Sequence, residues 1–262
     1  MAGVTVQARR ASSSWRASAV RFVGSVAVLV ALWWAATAVF DPPAYVFPTP
    51  EAVLAALLRQ PGHLAWHAGV TALEIGLGLF FGTLAGVLTA LLVAATPATR
   101  RMVFPVVVVT QSLPVFAIAP LLVVWLGFGL ASKITMAALI IYFPIATAYA
   151  DAMGRADRQL MDLVRLGGGG WWARLWLIRA PAGLPGLVAG LKVAATVAPI
   201  GAVVGEWVGA SAGLGYLMLH ANARLQTDTL FAALILLALL ALLVRIVVDA
   251  AVEPLVRWQP SE

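Results

Sequence analysis

Apolar residues in this chain neither alternate nor keep to one helical face. They run on without a charge for lengths close to twenty residues, about what a helix needs to cross the hydrocarbon core of a membrane. Such runs cover 22–40 (FVGSVAVLVALWWAATAVF) and 75–99, the latter with a start near Ala68. A third lies within 102–132 and is broken by Pro105, Pro114 and Pro120; the others are 133–150, 182–208 and 229–248. The pattern predicts an all-α polytopic membrane protein with about six spans. Basic residues precede the first run, as in a signal peptide. The run is long for that role, however, and Asp41-Pro42-Pro43 is not a small-residue cleavage site, so it is read as a span.

The segments between the runs are unequal. In 41–66, Pro48-Thr49-Pro50 precedes EAVLAALLRQ, so Thr49 or Pro50 starts a short helix with Glu51 in its first turn. In 151–181, Asp157 to Leu166 reads as helix and Gly167 to Gly170 as a break. Trp171 to Ile178 reads as a second short helix, stopped by Pro181 and Pro185. The 209–228 segment is too polar at its end to be a span. It reads as a short helix starting at Ser211-Ala212-Gly213, or as a plain loop. Gly78, Gly82 and Gly86 recur at i+4 and mark a close helix–helix seam.

Composition agrees with this picture. Of 262 residues 62% are hydrophobic and 11% charged, with a mean hydropathy of +0.96. A soluble domain has about 25% charged residues, so a soluble enzyme, a disordered chain and a nucleic-acid-binding domain are poor readings. The net charge of +6 is explained by position. With the N-terminus inside, the inner segments hold 13 Lys and Arg and the outer segments 3 (Arg59, Lys133 and Arg224), which places both termini in the cytoplasm. The absence of Cys excludes disulfides and thiol chemistry.

Polar groups inside spans are functional candidates by default. Thr110, Gln111 and Ser112 lie midway along the third span beside Pro114, which opens the helix. They line a pathway, with Phe116 and Trp125 as aromatic faces, or they bond between helices. Glu74 lies early in the second span, and Lys192 and Glu206 lie in the fifth. The last two are about 21 Å apart along the axis and cannot pair. Lys192 snorkels or pairs with another span. Glu206 either meets substrate or a delivering protein at the outer mouth, or holds the following loop. His63 and His67 share a helical face, with His220 elsewhere on the outer side, and no third ligand type completes a metal site.

The basic, aromatic segment 151–181 is either an interfacial element in the lipid headgroups or a docking element for a cytoplasmic partner. Here the residues resemble a known family. Residues 162–190 (DLVRLGGGGWWARLWLIRAPAGLPGLVAG) are similar to the EAA loop of binding-protein-dependent ABC importer permeases. Asp162 stands at the Glu position, Leu163 and Val164 at the two Ala positions and Gly168 at the glycine. Pro181 and Pro185 match the two prolines, and Gly190 the later glycine. Asp for Glu, the larger residues at the alanines and Ala180 before Pro181 depart from the pattern. VFPTPEAVLAAL (46–57), SLPVFAIAPLLVVWLGFGLASK (112–133) and VVGEWVGASAGLGYLML (203–219) look like the sulfonate, nitrate and taurine branch. QSLPVFAIAPLLVVW, APIGAVVGEW and LMLHANARLQTD look like permeases for hydroxymethylpyrimidine, a thiamine precursor.

The resemblance implies a type I ABC importer permease fold in a bacterial inner membrane. It divides the chain into a cytoplasmic tail 1–21, a transmembrane domain 22–250 with the coupling loop 151–181, and a tail 251–262. Asp162, Arg165, Gly168, Trp172, Pro181 and Pro185 would then meet the ATPase, and Gln111, Ser112, Pro114, Phe116 and Glu206 would line the substrate pathway. The implied partners are two cytoplasmic ATPase subunits, an extracytoplasmic solute-binding protein, a second permease copy and membrane lipid, without nucleic acid. No GxxxxGK[ST] loop is present, so no cofactor is expected on this chain; ATP and Mg belong to the ATPase. Sulfonate, taurine and nitrate remain alternative substrates. A membrane enzyme would show clustered acids or histidines, and a stand-alone secondary transporter would show internal repeats; neither is evident.

Overall fold

The computed structural model describes residues 2–258, and of residues 2–19, 22, 111 and 112 the backbone alone. Every regular element among the described residues is helical: α1 (Ala2–Phe40), α2 (Pro50–Arg59), α3 (Pro61–Ala95), α4 (Pro97–Ser112), α5 (Val115–Leu126), α6 (Leu130–Gly154), α7 (Arg158–Leu166), α8 (Trp171–Arg174), a π-helical turn (Leu175–Arg179), α9 (Ala180–Gly209), α10 (Leu214–Ala223), α11 (Thr227–Val252) and a closing 3-10 turn (Glu253–Val256). Among the described residues five helical stretches are long and apolar enough to cross a membrane. The pair α4 and α5, bent by 96° where Leu113 and Pro114 interrupt the helix, makes a sixth when counted as one broken span.

The chain forms two compact units. The first comprises Met1–Gln60 and Ala221–Ala232. In it Trp33, Phe47 and Phe231 pack ring against ring with centroids 5.6–6.1 Å apart, and the Trp33 indole N–H donates to the Pro48 carbonyl at 3.0 Å. The start of α2 is as the sequence predicts. Thr49 is the N-cap and accepts from the Ala52 amide at 3.3 Å, and Pro50 fills the first helical position. Glu51 lies in the first turn, where a hydrogen bond with its own backbone, then one with Thr49, holds its carboxyl below the usual glutamate range.

The second unit, Pro61–His220 with Ala233–Glu262, is centred on α3, α6 and α9. Ile75, Ala137, Ile141, Ile145, Ala194, Ala198 and Ala202 form a fully buried core between them. The seam expected from Gly78, Gly82 and Gly86 is present against α6. A Cβ on Gly78 would lie 2.6 Å from Ala137 Cβ, and one on Gly86 would lie 2.9 Å from both Ile145 Cβ and the Tyr142 carbonyl oxygen. With no side chain on α3 at these positions, the two backbones approach and bury each other directly.

Several boundaries depart from the sequence reading. The second spanning helix starts at Pro61, a residue suited to the first helical position, and carries buried His67 and Thr71 ahead of the charge-free run. Trp171–Ile178 is not an isolated helix stopped by prolines: α8, the π turn and α9 run on from Trp171 to Gly209. Proline cannot donate to the carbonyl four residues back and clashes with it. The π turn widens the helix just before Pro181, and the Ala180 amide reaches back five residues to the Leu175 carbonyl. Pro185 is then carried inside α9. Lys133, placed by its charge in an outer loop, lies inside α6 and is buried.

Candidate functional site

One end of the second unit carries the segment resembling an EAA loop. Asp157 caps α7, its carboxylate accepting the Gln159 amide at 2.8 Å. The helix ends where the glycines begin. The Gly169 amide donates to the Val164 carbonyl at 2.8 Å and the Gly168 amide to the Arg165 carbonyl at 3.0 Å. This is a Schellman closure, with Gly168 in the left-handed conformation at φ 77°. A Cβ on Gly169 would lie 2.8 Å from the Val164 carbonyl oxygen. Two of the four glycines are thus required by geometry, one for its torsion and one for space.

No residue of α7 is buried, although it carries Leu160, Leu163 and Leu166, all exposed. Trp171, Trp172 and Trp176 continue the apolar surface, with neighbouring ring centroids 5.1 and 5.6 Å apart. Asp162, Arg165, Gly168, Trp172 and Pro181 are exposed and Pro185 half-buried. Arg179 braces this surface from behind. Its guanidinium donates to the Ala94 carbonyl at the end of α3 and to Met161 Sδ of α7 at 3.4 Å.

A groove of about 960 Å³ lies among α4, α5, α6 and α9. Thr110, Trp125, Thr135, Tyr142, Phe143 and Thr147 are among its lining residues, and among the described lining residues Tyr142 alone is ionisable. The Thr110 and Tyr142 hydroxyls are 3.4 Å apart. Of the residues singled out in sequence, Thr110 and Trp125 line it, whereas Pro114, Phe116 and Glu206 do not. Pro114 is the N-cap of α5 and Phe116 is exposed. The side chains of Gln111 and Ser112 lie outside the described residues. Thr135, Tyr142 and Thr147 were missed because they belong to a different run of sequence from the third span.

The other end of the unit holds a buried polar cluster that no single stretch of sequence displays. Lys133 of α6 donates to Glu74 of α3, in a salt bridge almost wholly sealed from solvent. Beside it, Glu206 of α9 is 1% exposed. It accepts the Thr71 hydroxyl at 2.6 Å, the Gly215 amide and the Tyr216 amide at 3.3 Å. Thr71 accepts the Leu214 amide at 2.8 Å, and His67 Nδ1 accepts the Gly213 amide at 3.0 Å. Of the two sequence readings of Glu206, the geometry matches loop holding. His63 lies against His67 with ring centroids 4.5 Å apart, but among the described residues no group of three His, Cys, Asp or Glu is placed to hold a metal ion.

Lys192 and Glu206 do not pair. Lys192 instead faces Asp249 of α11 at 3.6 Å. Arg245 donates to Asp249 at 2.8 Å and to the Lys192 carbonyl at 2.8 Å, so α9 and α11 are joined by charge-assisted contacts.

Residues 78–258 match the model of the family described as "Binding-protein-dependent transport system inner membrane component". The chain is 46% identical over 86% of its length to a "Probable ABC transporter permease protein" of Haemophilus influenzae, covering 91% of that protein. It is 34% identical to a riboflavin transport system permease protein of Chloroflexus aurantiacus, over 89% of this chain and 88% of that one. It is 29% identical to a formylaminopyrimidine transport permease protein of Halalkalibacterium halodurans, over 90% and 94%. Among solved structures, an inward-facing form of the MetNI methionine ABC transporter contains a chain with a TM-score of 0.66 at 21% identity; the match covers 76% of this chain and 99% of that one.

Proposed function

This chain belongs to the inner-membrane components of binding-protein-dependent transport systems, and from that premise we propose which solute it carries and how it is driven. It is a permease subunit of an ABC importer for a small solute, with ATP hydrolysis on a separate subunit. The proposed solute is hydroxymethylpyrimidine or a related thiamine precursor. The observation that carries this reading is the groove. Among the described residues its lining offers threonine and tyrosine hydroxyls and aromatic faces but no cationic side chain. A neutral heteroaromatic alcohol needs a few directional hydrogen bonds and a flat apolar wall. A sulfonate or nitrate entering the same groove would lose its hydration without a compensating charge. The formylaminopyrimidine and riboflavin permeases among its relatives support a nitrogen heterocycle. Taurine or another sulfonate is the second reading, favoured by the sequence segments shared with that branch.

In this reading both termini are cytoplasmic and two permease copies enclose the pathway. Two ATPases, which bind ATP and Mg, grip the exposed α7 and Trp171–Trp176 surfaces through Asp162, Arg165, Gly168 and Trp172. A binding protein delivers the solute from outside. Two measurements test it. Calorimetric titration of the cognate binding protein with hydroxymethylpyrimidine, taurine, an alkanesulfonate and nitrate should give the tightest binding to the pyrimidine; tighter binding of a sulfonate would transfer the assignment to the second reading. Replacing Asp162 and Gly168 by Arg should abolish co-purification of the ATPase at unchanged membrane insertion. Normal recovery of the ATPase with this variant would remove the docking role.

A further inference from the structure

We propose that Glu206, supported by Thr71 and His67, is a positioning residue that fastens the start of α10 to α9 and α3. Displacement of the Trp171–Arg179 segment is thereby carried through one rod to the opposite end of the membrane domain. The proposal rests on the permease reading above and concerns how that permease is coupled to its ATPase.

A helix begins with backbone amides that have no partner within the helix, and a Ser, Thr, Asp or Asn just before it normally supplies one. Here that place is held by Gly213, which has no side chain to offer. Four successive amides, from Gly213 to Tyr216, are instead accepted by side chains of other helices: His67 and Thr71 of α3, and Glu206 of α9. The fit leaves no slack. Gly213 sits at φ 120°, and a Cβ there would collide with the Glu206 carboxylate, as would one on Gly215. Thr71 and Glu206 are almost wholly shielded from solvent, where a hydrogen bond to a carboxylate is stronger than one in water and costly to leave unmade.

The carboxylate stands near the end of the helical run from Trp171 to Gly209. At 1.5 Å per residue, Glu206 lies about 52 Å from Trp171 along that run. The tryptophan surface and the α10 clamp are therefore the two ends of one element. Lys133 and Glu74 tie α6 to α3 beside the clamp. Pro185 and Pro199 lie within α9 without ending it, so a tilt of α9 that is carried past both moves α10 at the other end, provided the clamp holds.

The test uses the permease reconstituted in vesicles with its ATPase and binding protein, with solute uptake and ATP hydrolysis measured on the same preparation. Glu206→Ala should lower uptake per ATP hydrolysed at least about tenfold, as loss of two or more charge-assisted bonds allows, while hydrolysis by the assembled complex stays near the wild-type rate. Glu206→Gln, which keeps an acceptor oxygen, should restore part of the uptake. Thr71→Val, which keeps the carboxylate, provides a second reading if Glu206→Ala assembles poorly. Amide hydrogen exchange over 213–216 should be slow in the wild type both with and without a trapped ATP analogue, and fast in Glu206→Ala. Three results would overturn the proposal: wild-type coupling in both Glu206→Ala and Thr71→Val, a parallel fall of uptake and hydrolysis, or opening of the 213–216 amides when ATP binds to the wild type. Absence of uptake in the wild type with every solute offered would instead strike the permease reading itself.

Discussion

The two ends of the α3–α6–α9 unit are built on opposite principles. At the Glu206 end, most buried polar groups are met from within the chain: Lys133 by one oxygen of Glu74, and the amides of Gly213 to Tyr216 by His67, Thr71 and Glu206, while Glu74 Oε2 stays buried without a hydrogen-bond partner. At the α7 end, three leucines and three tryptophans stand exposed on a backbone that is closed and capped. The first end closes almost all of its polar groups within the chain. The second is firmly shaped yet leaves a large apolar surface uncovered by the rest of the chain, the usual mark of an interface. Substitutions at the first end should therefore register in stability or in coupling, and those at the second in assembly.

Lys133→Ala should break this contrast most severely. It leaves Glu74 buried without its counter-charge, at a cost of about 3–5 kcal/mol, read as a fall in the unfolding midpoint in detergent. Removing Glu74 as well should recover most of the loss. A neutral Lys133→Ala would mean the Glu206 end is not self-sufficient. Next comes Gly86→Val, which forces α3 off α6 and should cost about 1–3 kcal/mol, a typical overpacking penalty. Gly168→Ala should act at the other end: the left-handed torsion disfavours a side chain by about 1–2 kcal/mol. Recovery of the ATPase should then decline strongly while the unfolding midpoint of the membrane domain falls less than in Lys133→Ala; a larger fall of the midpoint than in Lys133→Ala would erase the distinction between the ends.

The smallest effects belong to α2, in the other unit. Thr49→Ala should loosen it by about 1 kcal/mol, the usual value of a lost N-cap. Because the Glu51 carboxyl is held below its ordinary range, its contribution is present above the unfolded value of about 4.3. It is lost as pH falls through the lowered folded value. Amide exchange in α2 should accelerate on acidification through that window, and less so in Glu51→Gln.

Where the physics is local, the sequence reading succeeds. Thr49, Pro50 and Glu51 announce the start of α2 because cap, ring and charge act within one turn. The glycine stripe at 78, 82 and 86 announces a seam because its spacing is that of one helix face. The reading fails where the deciding partner is distant in sequence. Lys133 looks like a loop residue until Glu74, 59 positions earlier, is placed beside it. Thr71, His67 and Glu206 look unrelated until α10 is inserted between their helices. Pro181 looks like a terminator because a wider helical turn that accommodates it leaves no local mark in composition. Thr135, Tyr142 and Thr147 enter the groove only through the packing of α6 against neighbours that a span-by-span reading does not supply.

The glycine seam also makes part of α3 intolerant of changes in length. Its three contact points lie four residues apart and meet Ala137, Ile141 and Ile145 in turn. One residue inserted between Gly78 and Gly86 would rotate everything beyond it by about 100°. A side chain would then point at Ile145, and Gly86 would take the half-buried place of Val87 against the core. Homologous chains that share this packing should therefore vary freely in the residues between the glycines, but keep their number unchanged.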